Sequence, residues 1–369
     1  MLAGTLISGM AISGLVIGVL VGFFVRRARL CSFGAIESAL IGHDWRRMKV
    51  FALSLGIALA GTQVLLALGW LDPLKTTYVA SKIPWFSTLV GGLAFGLGMA
   101  LVGTCAFGTL IRLGGGDLRS LITLLVFGAV SYAVLRGSLS SLRILVFEAL
   151  VIATPQEGAA TMSALLAGWW GGTASLVIVL LLGLGLMALA LADRRLWRAP
   201  RLMTAGLMLG LGVIGGWLAT GVFIDEFAAP VRVQSLTFVA PVARALYGAM
   251  IGGPDWFDFG VSSVFGVILG AFVASWRARD FHWEAYDDPQ EMRRHLAGAV
   301  LMGFGGVLAG GCTIGQGLTA GSLTALTWPL SVGGILLGAR LGILILVEGS
   351  LREVLSARLG WPLPPVRPD

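Results

Sequence analysis

The three cysteines of the chain open the same short pattern. It reads Cys31-Ser32-Phe33-Gly34, then Cys105-Ala106-Phe107-Gly108, then Cys312-Thr313-Ile314-Gly315. A small residue, a large apolar residue and a glycine follow each thiol. Each cysteine also follows an apolar, glycine-rich segment and precedes a polar break: His43-Asp44, Gly114 to Asp117, and Gly317 to Ser322. A dithiol redox centre needs a resolving cysteine close by, and no Cys-x-x-Cys pair is present. Metal binding fits poorly for the same reason, because His43, His282 and His295 lie in or beside charged loops. No metal or cofactor is expected. Two readings of the cysteines stay open: small buried hydrophobes, or soft, weakly polar groups that hydrogen-bond a ligand.

The elements that carry these cysteines are set by composition. Of 369 residues, 57% are hydrophobic and 12% charged, about half the charged share of a soluble domain, roughly 25%. The runs Gly9–Phe24, Ser175–Ala192 and Leu202–Phe223 hold no charge. A helix crosses the hydrocarbon core with about 20 such residues. A β-barrel does not fit, since its strands alternate polar and apolar residues over about 10 positions. The expected fold is an all-α polytopic membrane protein. The net charge of +7 does not indicate nucleic acid, because the basic residues sit in short clusters between apolar spans. No signal peptide is evident, and the first apolar run reads as the first span.

The pattern predicts nine transmembrane helices, near 5–25, 50–70, 85–104, 120–135, 168–192, 203–222, 259–276, 296–311 and 326–348. The stretch Leu139 to Ala153 holds Arg143 and Glu148, and charges inside a span are costly, so it is expected to be interfacial or re-entrant. Loops 26–49, 193–201 and 277–294 carry six, four and four Lys/Arg against two in 71–84. Positive-inside placement then puts the N-terminus outside and the C-terminus, near Arg352 and Arg358, in the cytoplasm. Spans one to four and six to nine would be inverted copies: residues 1–155 and 201–369, joined by a linking helix within 156–200. Such repeats are a recurrent transporter plan, with the site near the midplane. Glycines spaced four apart, Gly14/Gly18/Gly22 and Gly334/Gly338/Gly342, either allow close helix packing or reflect a glycine-rich chain.

A helix ending at each cysteine, a glycine-containing break and a short second helix make a discontinuous or re-entrant element. Non-helical backbone at membrane depth is tolerated only where it is buried or lines a cavity. Half-helix N-termini there present free N–H groups and a positive dipole end, both suited to an anion. Several thiols along one axis would form weak, successive stations, which permeation requires. Around them, Thr313 and Gln316 either donate hydrogen bonds to an oxyanion or satisfy broken-helix backbone. Arg112 either attracts a dianion or snorkels to the interface. Glu37 is open to a gating or a solvated reading. Trp70, Trp85 and Trp197 fit an aromatic belt.

At the cysteine segments, above all Gly310-Gly311-Cys312-Thr313-Ile314-Gly315-Gln316-Gly317 and Gly103-Thr104-Cys105-Ala106-Phe107-Gly108, the chain resembles the YeeE/YedE family of bacterial inner-membrane thiosulfate permeases. The resemblance implies an hourglass-shaped protein whose essential cysteines pass thiosulfate along a central path by transient S–H to sulfur hydrogen bonds. By motif these would be Cys31, Cys105 and Cys312, with Gly34, Gly108 and Gly315 completing the pattern. It also implies a cytoplasmic TusA-like sulfur-carrier protein as partner. A fourth quarter-repeat would place Ala219-Thr220-Gly221-Val222-Phe223 where a fourth cysteine is expected, with Thr220 as its polar replacement.

The expected function is uptake of thiosulfate into the cytoplasm through the inner membrane. No Gly-x-x-x-x-Gly-Lys-Ser/Thr run is present, so direct ATP use is not expected. Transport of another sulfur or selenium compound, a membrane-bound thiol sulfurtransferase, and a structural subunit with packing cysteines are the alternatives.

Overall fold

A computed structural model describes residues 2–79, 82–153, 160–221, 233–252 and 256–348. Arg352 and Arg358, and the Val222-Phe223 part of the expected fourth break, lie outside them. Nine long helices alternate in direction among the described residues: α1 (Leu2–Ala28), α3 (Arg46–Ala67), α4 (Trp85–Val102), α6 (Leu118–Leu135), α9 (Gly172–Leu191), α11 (Pro200–Gly221), α13 (Phe259–Ala278), α14 (Pro289–Leu308) and α15 (Thr327–Glu348). Between them lie the shorter α2 (Ser32–Leu40), α5 (Ala106–Gly114), α7 (Ser140–Leu142), α8 (Met162–Trp170), α10 (Arg194–Trp197) and α12 (Ala240–Ile251). Eight spans are long and apolar enough to cross a membrane. The ninth long helix, α14, differs because its first two turns carry Glu291, Arg293, Arg294 and His295. The fold is all-α and polytopic, as the composition requires.

Loop pairings sort the helix ends into two sets. At the basic end, Asp280 pairs with Arg26 (3.5 Å) and Arg29 (3.3 Å), Lys49 pairs with Asp193 (2.7 Å), and Asp117 bridges Glu284. At the opposite end, Thr76 bridges Val233, Thr161 bridges Ala325, and Lys82–Ile83 pairs antiparallel with Ile152–Ala153. The stretch 139–153 belongs to this second end. It consists of α7, a π-helical turn (Arg143–Phe147) and a two-residue strand, with Arg143 paired to Glu148 at 3.4 Å. It does not cross, because its regular pieces are too short.

Carboxylates cap the long helices that begin near water. Asp117 accepts from Arg119 N (3.0 Å), Asp258 from Val261 N (2.9 Å) and Asp288 from Gln290 N (2.9 Å), so each satisfies an otherwise orphaned N–H. Arg26 and Arg27 end α1, where basic charge complements the helix dipole. The turn entering α3 is held similarly: the guanidinium and backbone N–H of Arg46 keep the Asp44 carboxyl down at about 2. Trp70 and Trp197 are exposed at helix ends, as an aromatic belt demands.

Two helix pairs form the centre of the bundle, α1 against α13 and α4 against α15. Each is closed by glycines facing glycines. A Cβ at Gly18 would lie 2.5 Å from the Ser263 carbonyl oxygen and 3.0 Å from Gly266 Cα. One at Gly92 would lie 2.7 Å from the Ser331 carbonyl oxygen and 3.1 Å from Gly334 Cα. The packing reading of both four-apart runs therefore holds. Around these pairs, α3 meets α11 and α6 meets α14. Helix α9 rests on α3 and presents Val177, Leu181 and Leu189 outward.

Overpacking a close contact costs about 1–3 kcal/mol. Gly18→Leu and Gly92→Leu should each destabilise the fold by at least about that amount, read as a lower unfolding midpoint in detergent. Gly185→Leu on α9, where a Cβ meets nothing within 4 Å, should leave it unchanged. Equal midpoints for all three variants would contradict the close-packing role.

Candidate functional site

All three cysteine segments are built the same way. A helix is stopped by a residue in the left-handed region: Arg29 (φ +49°), Gly103 (φ +74°) and Gly310 (φ +76°). The cysteine follows two positions later and begins the next helical turn. Cys31 and Cys105 are extended N-caps of α2 and α5. Cys312 stands before a π-helical stretch, Gly315–Ala320, rather than an α-helix. Each cysteine carbonyl accepts the first N–H of the new turn: Ala35 N at 2.9 Å, Thr109 N at 2.8 Å and Gln316 N at 2.7 Å.

The glycine three residues after the cysteine now has a physical reason at two of its three positions. Gly108 N donates to Cys105 Sγ (3.2 Å) and Gly315 N to Cys312 Sγ (3.4 Å). The sulfur thus does what a serine or aspartate oxygen does at an ordinary N-cap. A Cβ on Gly108 would stand 3.0 Å from Cys31 Sγ and 3.5 Å from Cys105 Sγ; one on Gly315 would stand 3.1 Å from Tyr78 Oη. Bare backbone lets the sulfurs and hydroxyls pack directly against it. At Gly34, whose N–H lies beside Cys31 Sγ, a Cβ would meet the Arg47 guanidinium at 3.2 Å rather than a second sulfur.

The segments converge. The Cys31 and Cys105 sulfurs both face Gly108, 3.0 and 3.5 Å from where its Cβ would stand, and Cys31 Sγ lies 3.3 Å from Thr104 Oγ1. Ser32 Oγ meets Thr313 Oγ1 at 2.9 Å, joining the first and third segments. Cys105 and Cys312 are fully buried, whereas Cys31 is partly open. Cys312 lies beside the Phe238 backbone, and the Phe238 ring stacks on Phe107 at 4.8 Å. This buried aromatic pair joins the Cys105 segment to the segment beside Cys312. Tyr78 Oη and Thr237 Oγ1 both face Gly315, and the Tyr78 ring packs edge-on to Trp217 at 6.5 Å.

The remaining expected residues fall as follows. Thr313 joins the cluster through Ser32. Gln316 is buried, and its Oε1 has no hydrogen-bond partner among the described residues. Arg112 does not reach the thiols. Its Nη2 donates to the Gly103 carbonyl at 3.0 Å, satisfying the acceptor left free where α4 stops. Glu37 is exposed, which agrees with its solvated reading. Among the described residues no group of three or more His, Cys, Asp or Glu side chains is placed to hold a metal.

The fourth break is not where the sequence reading placed it. Helix α11 runs on through Gly221, and Thr220 Oγ1 turns back to the carbonyls of Gly216 (2.9 Å) and Gln234 (2.7 Å). Residues 233–239 supply the irregular segment instead. Ser235 Oγ donates to the Val213 carbonyl (2.7 Å), and Thr319 Oγ1 donates to the Leu236 carbonyl (2.6 Å). No cysteine or glycine marks this segment. The signal that could have found it is Pro241 at the start of α12, a favoured position for proline. Ser32, Thr104, Tyr78 and Thr237 were likewise not singled out by spacing.

A bundle of membrane-spanning helices with buried, discontinuous helices meeting at its centre defines a membrane transporter. The sequence pattern that defines the family described as "Sulphur transport" matches residues 27–341, and the chain belongs to that family. It is similar to the thiosulfate transporter TsuA of Escherichia coli (strain K12), with 30% identity over 340 residues, covering 88% of this chain and 90% of that protein. It is also similar to the thiosulfate transporter TsuA of Spirochaeta thermophila, with 26% identity over 363 residues, covering 88% and 96%.

The burial difference predicts a labelling order. A small maleimide added to the detergent-solubilised protein should modify Cys31 at least about tenfold faster than Cys105 or Cys312, because thiol reactivity follows exposure. Peptide mass spectrometry reads the sites. Faster modification of Cys312 than of Cys31 would contradict this arrangement.

Proposed function

We propose that the chain carries thiosulfate across the bacterial inner membrane into the cytoplasm, passing the anion between Cys312 and the Cys105–Cys31 pair. The observation that carries this reading is the convergence of three cysteine-headed helix breaks on one buried centre. Thiosulfate bears a soft terminal sulfur that accepts weak S–H hydrogen bonds, and oxygens that accept from N–H and O–H groups. The N-terminal turns of α2, α5 and the π-helical stretch supply N–H groups and positive dipole ends. Ser32, Thr104 and Thr313 supply hydroxyls beside the thiols, and Tyr78, Thr237 and Gln316 line the approach to Cys312. The Phe107–Phe238 pair disfavours a hard anion that keeps its hydration shell. Weak, successive stations let the ion leave as readily as it enters.

The basic end faces the cytoplasm in this reading, with the N-terminus outside and the C-terminus inside. Antiparallel equivalence of α1 with α11 and of α4 with α14 supports two inverted repeats, residues 1–155 and 201–369, with α9 in the link. A TusA-like sulfur carrier at the basic end would draw the delivered sulfur into metabolism.

Cells lacking their own sulfate and thiosulfate importers provide the test. Wild-type protein should support uptake of sulfur-labelled thiosulfate, unaffected by excess unlabelled sulfate, which lacks the soft terminal sulfur. Cys31→Ala, Cys105→Ala and Cys312→Ala should each remove nearly all uptake at equal expression. Full uptake by any of the three would overturn the relay, and no uptake by the wild type would overturn the substrate. Tyr78→Phe keeps the ring and loses the hydroxyl, and should raise the apparent KM about threefold to tenfold, the effect of one lost hydrogen bond.

A further inference from the structure

A second anion-seeking feature lies apart from the thiols, on the flank of the α1–α13 pair at the basic end. A cavity of about 640 Å³ is bordered by the end of α1, the start of α11 and the end of α13. Asp280 is its one carboxylate, and it is already engaged by Arg26 and Arg29. Arg27, Arg201, Arg277 and Arg279 also border the cavity, are exposed, and have no carboxylate partner among the described residues. Four guanidinium groups with no carboxylate partner among the described residues, around one hollow, make a strong site for a phosphodiester, whose oxygens accept paired N–H donors.

The cavity continues into an apolar one. A groove of about 340 Å³ is lined by Phe272, Val273, Trp276 and the same Arg277. Trp276 is 67% exposed there, on a helix face turned away from the bundle. A hydrated inorganic anion gains nothing from such a groove, whereas an acyl chain does. Basic headgroup pockets beside apolar helix faces are where anionic phospholipids bind. A zwitterionic lipid brings its own ammonium, which four free guanidinium groups repel.

We infer that this paired cavity and groove hold one anionic phospholipid, with its phosphate among Arg27, Arg201, Arg277 and Arg279 and a chain along Phe272 and Trp276. The site touches no path residue, and its occupancy does not depend on which substrate the protein carries. It does border the left-handed corner at Arg29, two residues before Cys31. A bound lipid therefore braces the helix end from which the first thiol is presented.

Native mass spectrometry of the full chain in detergent tests this with phosphatidylglycerol and phosphatidylcholine of equal chain length. Wild-type protein should retain phosphatidylglycerol at least about tenfold better, since each basic residue near the headgroup contributes about 1 kcal/mol. The variant carrying Arg27→Gln, Arg201→Gln and Arg277→Gln should lose that preference. A control carrying Arg46→Gln, Arg194→Gln and Arg198→Gln removes equal charge elsewhere and should keep it. Trp276→Ala should weaken retention, and millimolar inorganic phosphate should not displace the lipid. Equal retention of the two lipids by wild type overturns the proposal without reference to any variant's folding. Equal losses in the two triple variants, or displacement by phosphate alone, overturn it as well.

Discussion

The structure depends on how polar backbone is satisfied where helices stop inside a membrane. Each interruption frees carbonyls on one side and N–H groups on the other, and neither can turn to water. At the water-facing ends the chain uses charge, with Asp117, Asp258 and Asp288 as caps. A carboxylate at membrane depth carries a large desolvation cost. In the buried breaks the capping atoms at Cys105 and Cys312 are neutral sulfurs instead, while Arg112 takes up the carbonyl freed at Gly103. The groups that let the helices stop therefore also build the buried centre.

That double role explains the recurring glycines without appeal to flexibility. A side chain on Gly108 would crowd two sulfurs at once, and one on Gly315 would crowd Tyr78. A second set of glycines, on α1, α4, α13 and α15, acts at a distance by letting helix backbones touch. This brings breaks from opposite parts of the chain within hydrogen-bonding reach, as the Ser32–Thr313 contact between residues 281 positions apart shows. Both sets use one property of the small residue, close approach of neighbours to its bare backbone.

Weak sulfur hydrogen bonds suit transport better than strong ones. Hydroxyl or ammonium caps in a dry centre would hold an anion tightly and slow its release. The buried Phe107–Phe238 stack packs into the same centre and ties the Cys105 segment to the segment beside Cys312. Positive charge at the basic end lies outside this centre and lines the flank cavity at α1 and α13.

The sequence by itself determined the membrane class, the nine long helices, the non-crossing character of 139–153 and the three cysteine breaks. These features are legible because hydrophobic length, buried charge and left-handed glycines act locally along the chain. It also marked Gly18, Gly334 and Gly338 as packing residues, since four-residue spacing places them on one helix face. Tertiary structure alone decided that Cys31 and Cys105 meet and that the Cys312 segment joins them through Thr313 and Ser32. It also decided that residues 233–239, not Ala219 to Gly221, complete the centre. The reason is physical: those outcomes depend on contacts between segments far apart in the chain, 73 residues for Cys31–Thr104 and 281 for Ser32–Thr313. A hydroxyl such as Ser32, Thr104 or Thr237 carries no local mark of which distant group it will face.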